Sequence, residues 1–481
     1  MLKRGGILLV VAVASSMVAA QNPPPTTQQF ISAQAPVVAL EHVRVIDGTG
    51  ASPAEDQTVL IANGKIGAIG GAGQVTVPAG AKVLDLSGDS VLPGLVGMHD
   101  HLYYPAPSGR GRIPGAPAMY TELAFSFPRL YLACGVTSIR TTGSLEPYAD
   151  LTLKSWIDAG RMPGPKIHIT APYLEGVGAF SLQMHELAGP ADAVRMVNYW
   201  ADQGFTSYKA YTHITRAELG AAIQAAHARH IKFTGHLCSV GFREAAALGI
   251  DDLEHGLVVD TEFVPGKQPD VCPPGEEQES TLANLDVSGA AVQETIRDLV
   301  AHHVAVTSTL PVFESSTSGR PPLQPRVLET MAPPARIDYL VARALVGEQN
   351  PPRTYRLKKE MQFEYDFARA GGMLLAGLDP TGNGGVLAGF GDQREVELLV
   401  EAGFTPLEAI HIATENGAIF LGEDDRIGTL QAGKQADIVV VQGDPSRKIS
   451  DIENVVTVFK DGVGFDSKKL IDSVRGTVGL H

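Results

Sequence analysis

The chain has 481 residues, 44% of them hydrophobic and 19% charged, so it is long enough to bury a large core and has the composition of an ordinary globular protein. Its net charge of -15, with no basic tract to offset it, disfavours nucleic acid and anionic membrane surfaces as partners. Three cysteines, Cys134, Cys238 and Cys272, allow one disulfide at most, so the fold must rest on its core.

Residues 1–20 read as a signal peptide. Lys3 and Arg4 precede an apolar run from Ile7 to Val13, and Val18 and Ala20 occupy small-residue cleavage positions. The mature chain is expected to begin near Gln21 and to be secreted or periplasmic; losing Lys3 and Arg4 takes the net charge from -15 to -17. A membrane anchor is the rival reading, but the apolar run is short for a span of about 20 residues, so no stable membrane insertion is expected after processing. Residues 21–36, rich in Pro and Thr, read as a flexible lead.

Residues 37–90 read as short strands separated by turns, the first part of a β-sandwich, and residues 422–465 have the same character. Two all-β pieces flanking a long middle predict that the terminal regions meet in one small β-sandwich, with residues 466–481 as a tail. Between them, residues 91–421 alternate apolar runs with stretches of helical period. Eight strands are predicted: Gly94–His99, Val136–Arg140, Lys166–Ala171, Phe205–Tyr211, Ile231–His236, Asp252–His255, Val304–Thr309 and Met373–Asp379. This α/β string predicts a (β/α)8 TIM-like barrel, although an open doubly wound sheet gives a similar one. Two inserts, Thr261–Asp286 and Pro311 to about Ala335, follow predicted strand ends and are expected to cover the site.

The sharpest local signal is His99-Asp100-His101. On an extended chain the period of two puts both imidazoles on one side, where they can share a divalent cation, and turns Asp100 away. Exposed or structural histidines are the plain alternative. Further polar residues fall at other strand ends: Lys209, His236, His255 and Asp379. Each has a bland reading, His236 and His255 as rim histidines, Asp379 as a loop cap and Lys209 as a salt-bridged lysine; in a barrel all of them converge. Tyr211, His213, Arg140, Tyr103, Tyr104 and His185 lie near strand ends and are candidates for substrate binding, with ordinary rim residues as the alternative. The places of Tyr211 and His213 depend on the chain staying extended beyond Lys209; a loop beginning at Ala210 would undo that alignment.

The segments VRVIDGTG, VLPGLVGMHDH, GVTSIRTTG, GHLCSVGFREAAALGIDDLEHG, AGLDPTG and EAGFTPLEAIHIATENGAIFLGEDDRIGTLQAGKQADIVVVQGDP together resemble the amidohydrolase superfamily, in its imidazolonepropionase-like and Xaa-Pro dipeptidase-like branch. The resemblance implies a barrel hydrolase with two divalent metal ions, usually zinc. His99 and His101 match ligands of the first ion, His236 and His255 ligands of the second, Lys209 a carbamylated lysine bridging both, and Asp379 the last-strand carboxylate that ligates and moves protons. Related sequences commonly carry an Arg-Asp pair after the second strand, whereas Thr141 follows Arg140 here. The function implied is hydrolysis of an amide bond in a small peptide or N-acyl amino-acid derivative by a metal-activated water. A cyclic amide, lactone or ester hydrolase is the nearest alternative, and a non-catalytic metal-stabilised binding protein the more distant one. The partner is a small molecule or short peptide, and exposed barrel helices offer surfaces for a homo-oligomer.

Overall fold

The computed structural model describes residues 25–103, 105, 119–350 and 352–480. The signal peptide, the start of the lead and Tyr104 lie outside the described residues. All eight expected strands form, six of them trimmed, the first shifted by one residue and the second one residue longer: β1 (Leu95–Asp100), β2 (Val136–Thr141), β3 (Lys166–His168), β4 (Ser207–Ala210), β5 (Lys232–Gly235), β6 (Asp252–Glu254), β7 (Ala305–Ser308) and β8 (Leu374–Ala376). Their residues are almost all buried, as both faces of a parallel sheet flanked by helices require.

The strands run parallel in two sheets, β1-β2-β3 and β4-β5-β6-β7-β8. A regular closed barrel would be one sheet; this fold resembles a distorted barrel, because β3 stops at His168 and joins β4 only through isolated bridges, Thr170 to Ser207 and Leu174 to Ala210. On the other side the Asp379 N–H donates to the His99 carbonyl at 2.9 Å, so the two outermost strands meet as an open sheet would not allow. Gly377 permits that approach: a Cβ there would lie 2.4 Å from the His99 backbone nitrogen.

The terminal regions do come together, but as one nine-stranded sheet instead of two separate layers. Alternation explains how it serves two cores. Ile438 and Val440 pack with Val38, Leu40, Val59 and Phe459 in a core of the sheet itself, while Val439 and Val441 face the barrel core. The expectation of a flexible lead is corrected over its described part: Pro25–Gln28 is helical, Ile31–Ala33 pairs with Val463–Asp466, and Phe30 is buried beneath the Arg129 guanidinium. The C-terminal tail is also ordered, with a helix over Ser467–Asp472 and a bridge from Val478 to Met331. Among the described residues no helix is long and apolar enough to cross a membrane.

Candidate metal centre

At the C-terminal ends of the strands the side chains of His99, His101, Lys209, His255 and Asp379 are buried together, with His236 partly buried beside them. The Nε2 atoms of His99 and His255 stand 3.8 and 3.9 Å from Asp379 Oδ2, and that of His101 stands 3.7 Å from Oδ1. His99, His255 and Asp379 offer ligand atoms within 4.8 Å of one another, a triad able to hold a metal ion. Lys209 Nζ lies 3.1 Å from His99 Nε2, and the His236 ring centroid is 4.3 Å from that of His255. The expected ligand residues are thus gathered in one place.

Backbone geometry aims them. β1 carries His99 and His101 inward and turns Asp100 outward, toward Asp392. β4 does the same for Lys209, while Tyr208 points the other way and its hydroxyl donates to the Val197 carbonyl. His255, just past β6, and Asp379, three residues past β8, both have positive φ, 71° and 45°, an uncommon conformation that reorients the chain where the two side chains enter the site.

The electrostatics suit a cation. Burial, reinforced by the Lys209 charge, lowers the affinity of His99 and His101 for a proton, and burial with Lys209 takes His236 down to about 3. His255 is lowered by burial and by His236 and His99. All four imidazoles are therefore neutral at pH 7, as metal ligands must be. Burial brings Lys209 down to about 8 and raises Asp379 to about 7, with Lys209 opposing the latter shift. Asp379 Oδ1 is buried without a hydrogen-bond partner among the described residues, an arrangement that a bound cation would satisfy.

Behind these groups lies a polar layer that holds them. Thr309 Oγ1 is 2.7 Å from His255 Nδ1, and Glu254 Oε2 is 2.8 Å from His99 Nδ1. The second contact is not aligned with an N–H bond, but the carboxylate still favours the proton on Nδ1 and leaves Nε2 to face Asp379. Arg140 fixes Glu254. Its guanidinium donates to Glu254 at 3.0 Å, to Asp252 at 2.8 Å and to the Met98 carbonyl. Burial opposes the arginine charge, but Glu254 and Asp252 outweigh it and hold its pKa above the ordinary value. Arg140 is therefore corrected from a substrate contact to a buried support, and β6 supplies the carboxylates that the Thr141 position lacks. Glu254 was missed in the sequence, where its place next to His255 in DDLEH was the available signal.

The other substrate candidates divide. Tyr103 is buried with its ring 4.7 Å from that of His101, and its hydroxyl bonds the Gly143 carbonyl and the Tyr173 hydroxyl. Tyr211 stays at the site, its ring 4.8 Å from His236. β4 ends at Ala210, however, so the alternation stops and His213 turns to Glu175, 3.6 Å away. His185 pairs with Asp192 at 2.8 Å on a partly exposed surface. His213 and His185 are thus corrected to partners of neighbouring carboxylates. Tyr104 lies outside the described residues.

The first insert reaches the rim of the site. Cys272 forms a disulfide with Cys238, two residues beyond His236, and Lys267 donates to the Ser239 carbonyl. From the second insert Phe313 comes within 6.4 Å of the His255 ring, while Glu314 is held by Arg320 and Arg394.

Comparison with known proteins agrees with this fold. Residues 382–464 match the amidohydrolase family. A dihydroorotase of Pelotomaculum thermopropionicum is 26% identical over 417 residues, covering 82% of this chain and 86% of that protein. Among solved structures, the bottromycin amidohydrolase superposes with a TM-score of 0.68 at 20% identity, covering 92% of this chain and 91% of that one. A Xaa-Pro dipeptidase with methionine bound in its active site gives 0.65 at 18% identity, covering 89% and 100%.

Proposed function

We propose that this chain is a member of the amidohydrolase superfamily that hydrolyses an amide bond in a small peptide or N-acyl amino-acid derivative with two divalent metal ions such as zinc. The observation that carries the reading is the convergence of three imidazole Nε2 atoms on the Asp379 carboxylate, with Lys209 alongside. His99 and His101 would hold one ion, His236 and His255 the other, and Asp379 would contribute an oxygen. Such ions supply Lewis acidity, polarising the scissile carbonyl and making a water molecule acidic.

The chain's own groups do the rest. Asp379 accepts a proton from the attacking water and returns it to the leaving nitrogen, the exchange a carboxylate beside the reacting groups can perform. Lys209, brought down to about 8, is about one-tenth neutral at pH 7, far more than an ordinary lysine. Its Nζ can add to carbon dioxide and release a proton, forming a carbamate. That step turns a cation that repels metal into an anion with two ligand oxygens. Tyr211, beside His236, is placed to contact substrate.

Metal-loaded protein is expected to contain two ions per chain and to turn over dipeptides or N-acyl amino acids. The test is metal analysis paired with a turnover screen that includes cyclic amides, lactones and esters. Hydrolysis confined to lactones or esters would reject the amide reading. Opening of a cyclic amide, the second reading, is favoured by the likeness to a protein named dihydroorotase and uses the same donors.

We also place the mature chain outside the cytosol, secreted or periplasmic. The Lys3-Arg4 and Ile7–Val13 order supports this, as does the Cys238–Cys272 disulfide, since such bonds persist in oxidising compartments. Intact-mass measurement of exported protein should give a chain beginning near Gln21 and lighter by two hydrogens than its reduced form. A retained Met1, or free thiols at Cys238 and Cys272, would contradict the placement.

A further inference from the structure

Glu175 is a fully buried carboxylate that no step of the proposed reaction uses. It lies in the chain that follows β3, and among the described residues no Lys or Arg pairs with it. A buried carboxylate is costly unless hydrogen-bond donors surround it. Its donors come from two loops. The Gly176 N–H donates to Oε1 at 2.9 Å from Glu175's own loop. From the turn after β4, the His213 N–H donates to Oε1 at 2.6 Å and the Thr212 hydroxyl to Oε2 at 3.2 Å. The alternation along SYKAYTH ends where Glu175 takes these donors.

The same turn carries Tyr211. Its N–H donates at 3.0 Å to the carbonyl of Leu174, the residue before Glu175. Its ring stands 5.0 Å from that of Tyr173, 5.2 Å from that of Phe180 and 4.8 Å from that of His236. The two loops meet backbone to backbone, since a Cβ on Gly176 would lie 2.0 Å from the His213 carbonyl oxygen. On its other side the turn holds the chain after β5, where the Ser239 N–H donates to the Thr212 carbonyl at 2.9 Å. One carboxylate thus ties together the loops from which Tyr211 reaches the metal centre.

We propose that Glu175 is a positioning residue for substrate binding, which by holding Thr212 and His213 sets where the Tyr211 ring stands beside His236. The proposal rests on the reading of Tyr211 as a substrate contact. Loss of uniform binding raises KM and leaves kcat unchanged. With the N-acetyl amino acid or dipeptide that the wild type hydrolyses best, Glu175→Ala should raise KM about tenfold, the worth of one or two hydrogen bonds, with kcat and metal content within about twofold. Glu175→Gln should recover most of that loss, because its carbonyl oxygen can take both N–H bonds and its amide can donate to the Thr212 hydroxyl. Hydrogen exchange over Tyr211–Ile214 should quicken in Glu175→Ala and much less in Glu175→Gln. If Glu175→Ala does not fold, Thr212→Val decides: it removes one donor at constant shape and should raise KM about threefold. An unchanged KM in the folded variant, a loss confined to kcat or metal content, or a Glu175→Gln no better than Glu175→Ala overturns the proposal. A metal-loaded wild type that hydrolyses nothing in the screen refutes the functional reading, and with it the role in substrate binding; unchanged exchange in Glu175→Ala refutes the positioning whatever the substrate.

Discussion

Replacing Asp379 with Asn is expected to lower turnover about 100- to 10,000-fold, the range associated with loss of a general acid–base group. Asn keeps the volume and tolerates the positive φ of 45° at this position, so the backbone need not move. What it lacks is the ability to take a proton from water and hand it to the leaving nitrogen. The stability effect should run the other way. Burial raises the carboxyl from its ordinary value of 3.8 to about 7, so ionising it costs the folded state more than the unfolded one. That penalty is absent below the unfolded pKa and grows as pH rises toward the folded one. At pH 7 and without metal, Asp379→Asn should therefore melt no lower than the wild type under the same conditions. Kinetics and thermal unfolding on the same samples provide the check, and wild-type turnover in a folded variant would remove Asp379 from the mechanism.

The second large effect is expected beneath the metal centre, where Arg140, Asp252 and Glu254 form a fully buried charge cluster. Arg140→Met removes the cation that bonds both carboxylates and leaves them without that hydrogen-bonded counter-charge. Breaking a buried pair in this way costs about 3–5 kcal/mol, enough to threaten the fold. Glu254→Gln is milder, because Arg140 keeps Asp252, but it takes the anionic oxygen away from His99 Nδ1. Loss of such outer support lowers metal affinity about 10- to 100-fold. Chelator competition should thus strip metal from Glu254→Gln well before the wild type, at little change in melting temperature of the metal-free forms. Equal resistance to chelator in both would show that Glu254 does not support the ligand.

The positions of the eight strands and of the candidate ligands were legible in the sequence. Both signals are local: a buried parallel strand is a short apolar run, and a strand-end His, Lys or Asp stands out against it. The HDH triplet even specified which side chains turn inward, because alternation along a strand is a property of the backbone. Where alternation stops could not be read. SYKAYTH leaves the strand after Ala210, and that turn separates Tyr211, which stays by His236, from His213, which goes to Glu175.

What stands behind the candidate ligands depended on contacts between distant strands. Arg140 looked like a group for substrate because arginine is seldom buried, and only the arrival of Asp252 and Glu254 from a strand more than a hundred residues away makes its burial tolerable. The same holds for the terminal regions. Their strand character was legible in turns and alternation, but whether they formed one sheet or two depended on which edges met, since hydrogen bonds between strands distant in sequence leave no mark on either strand alone.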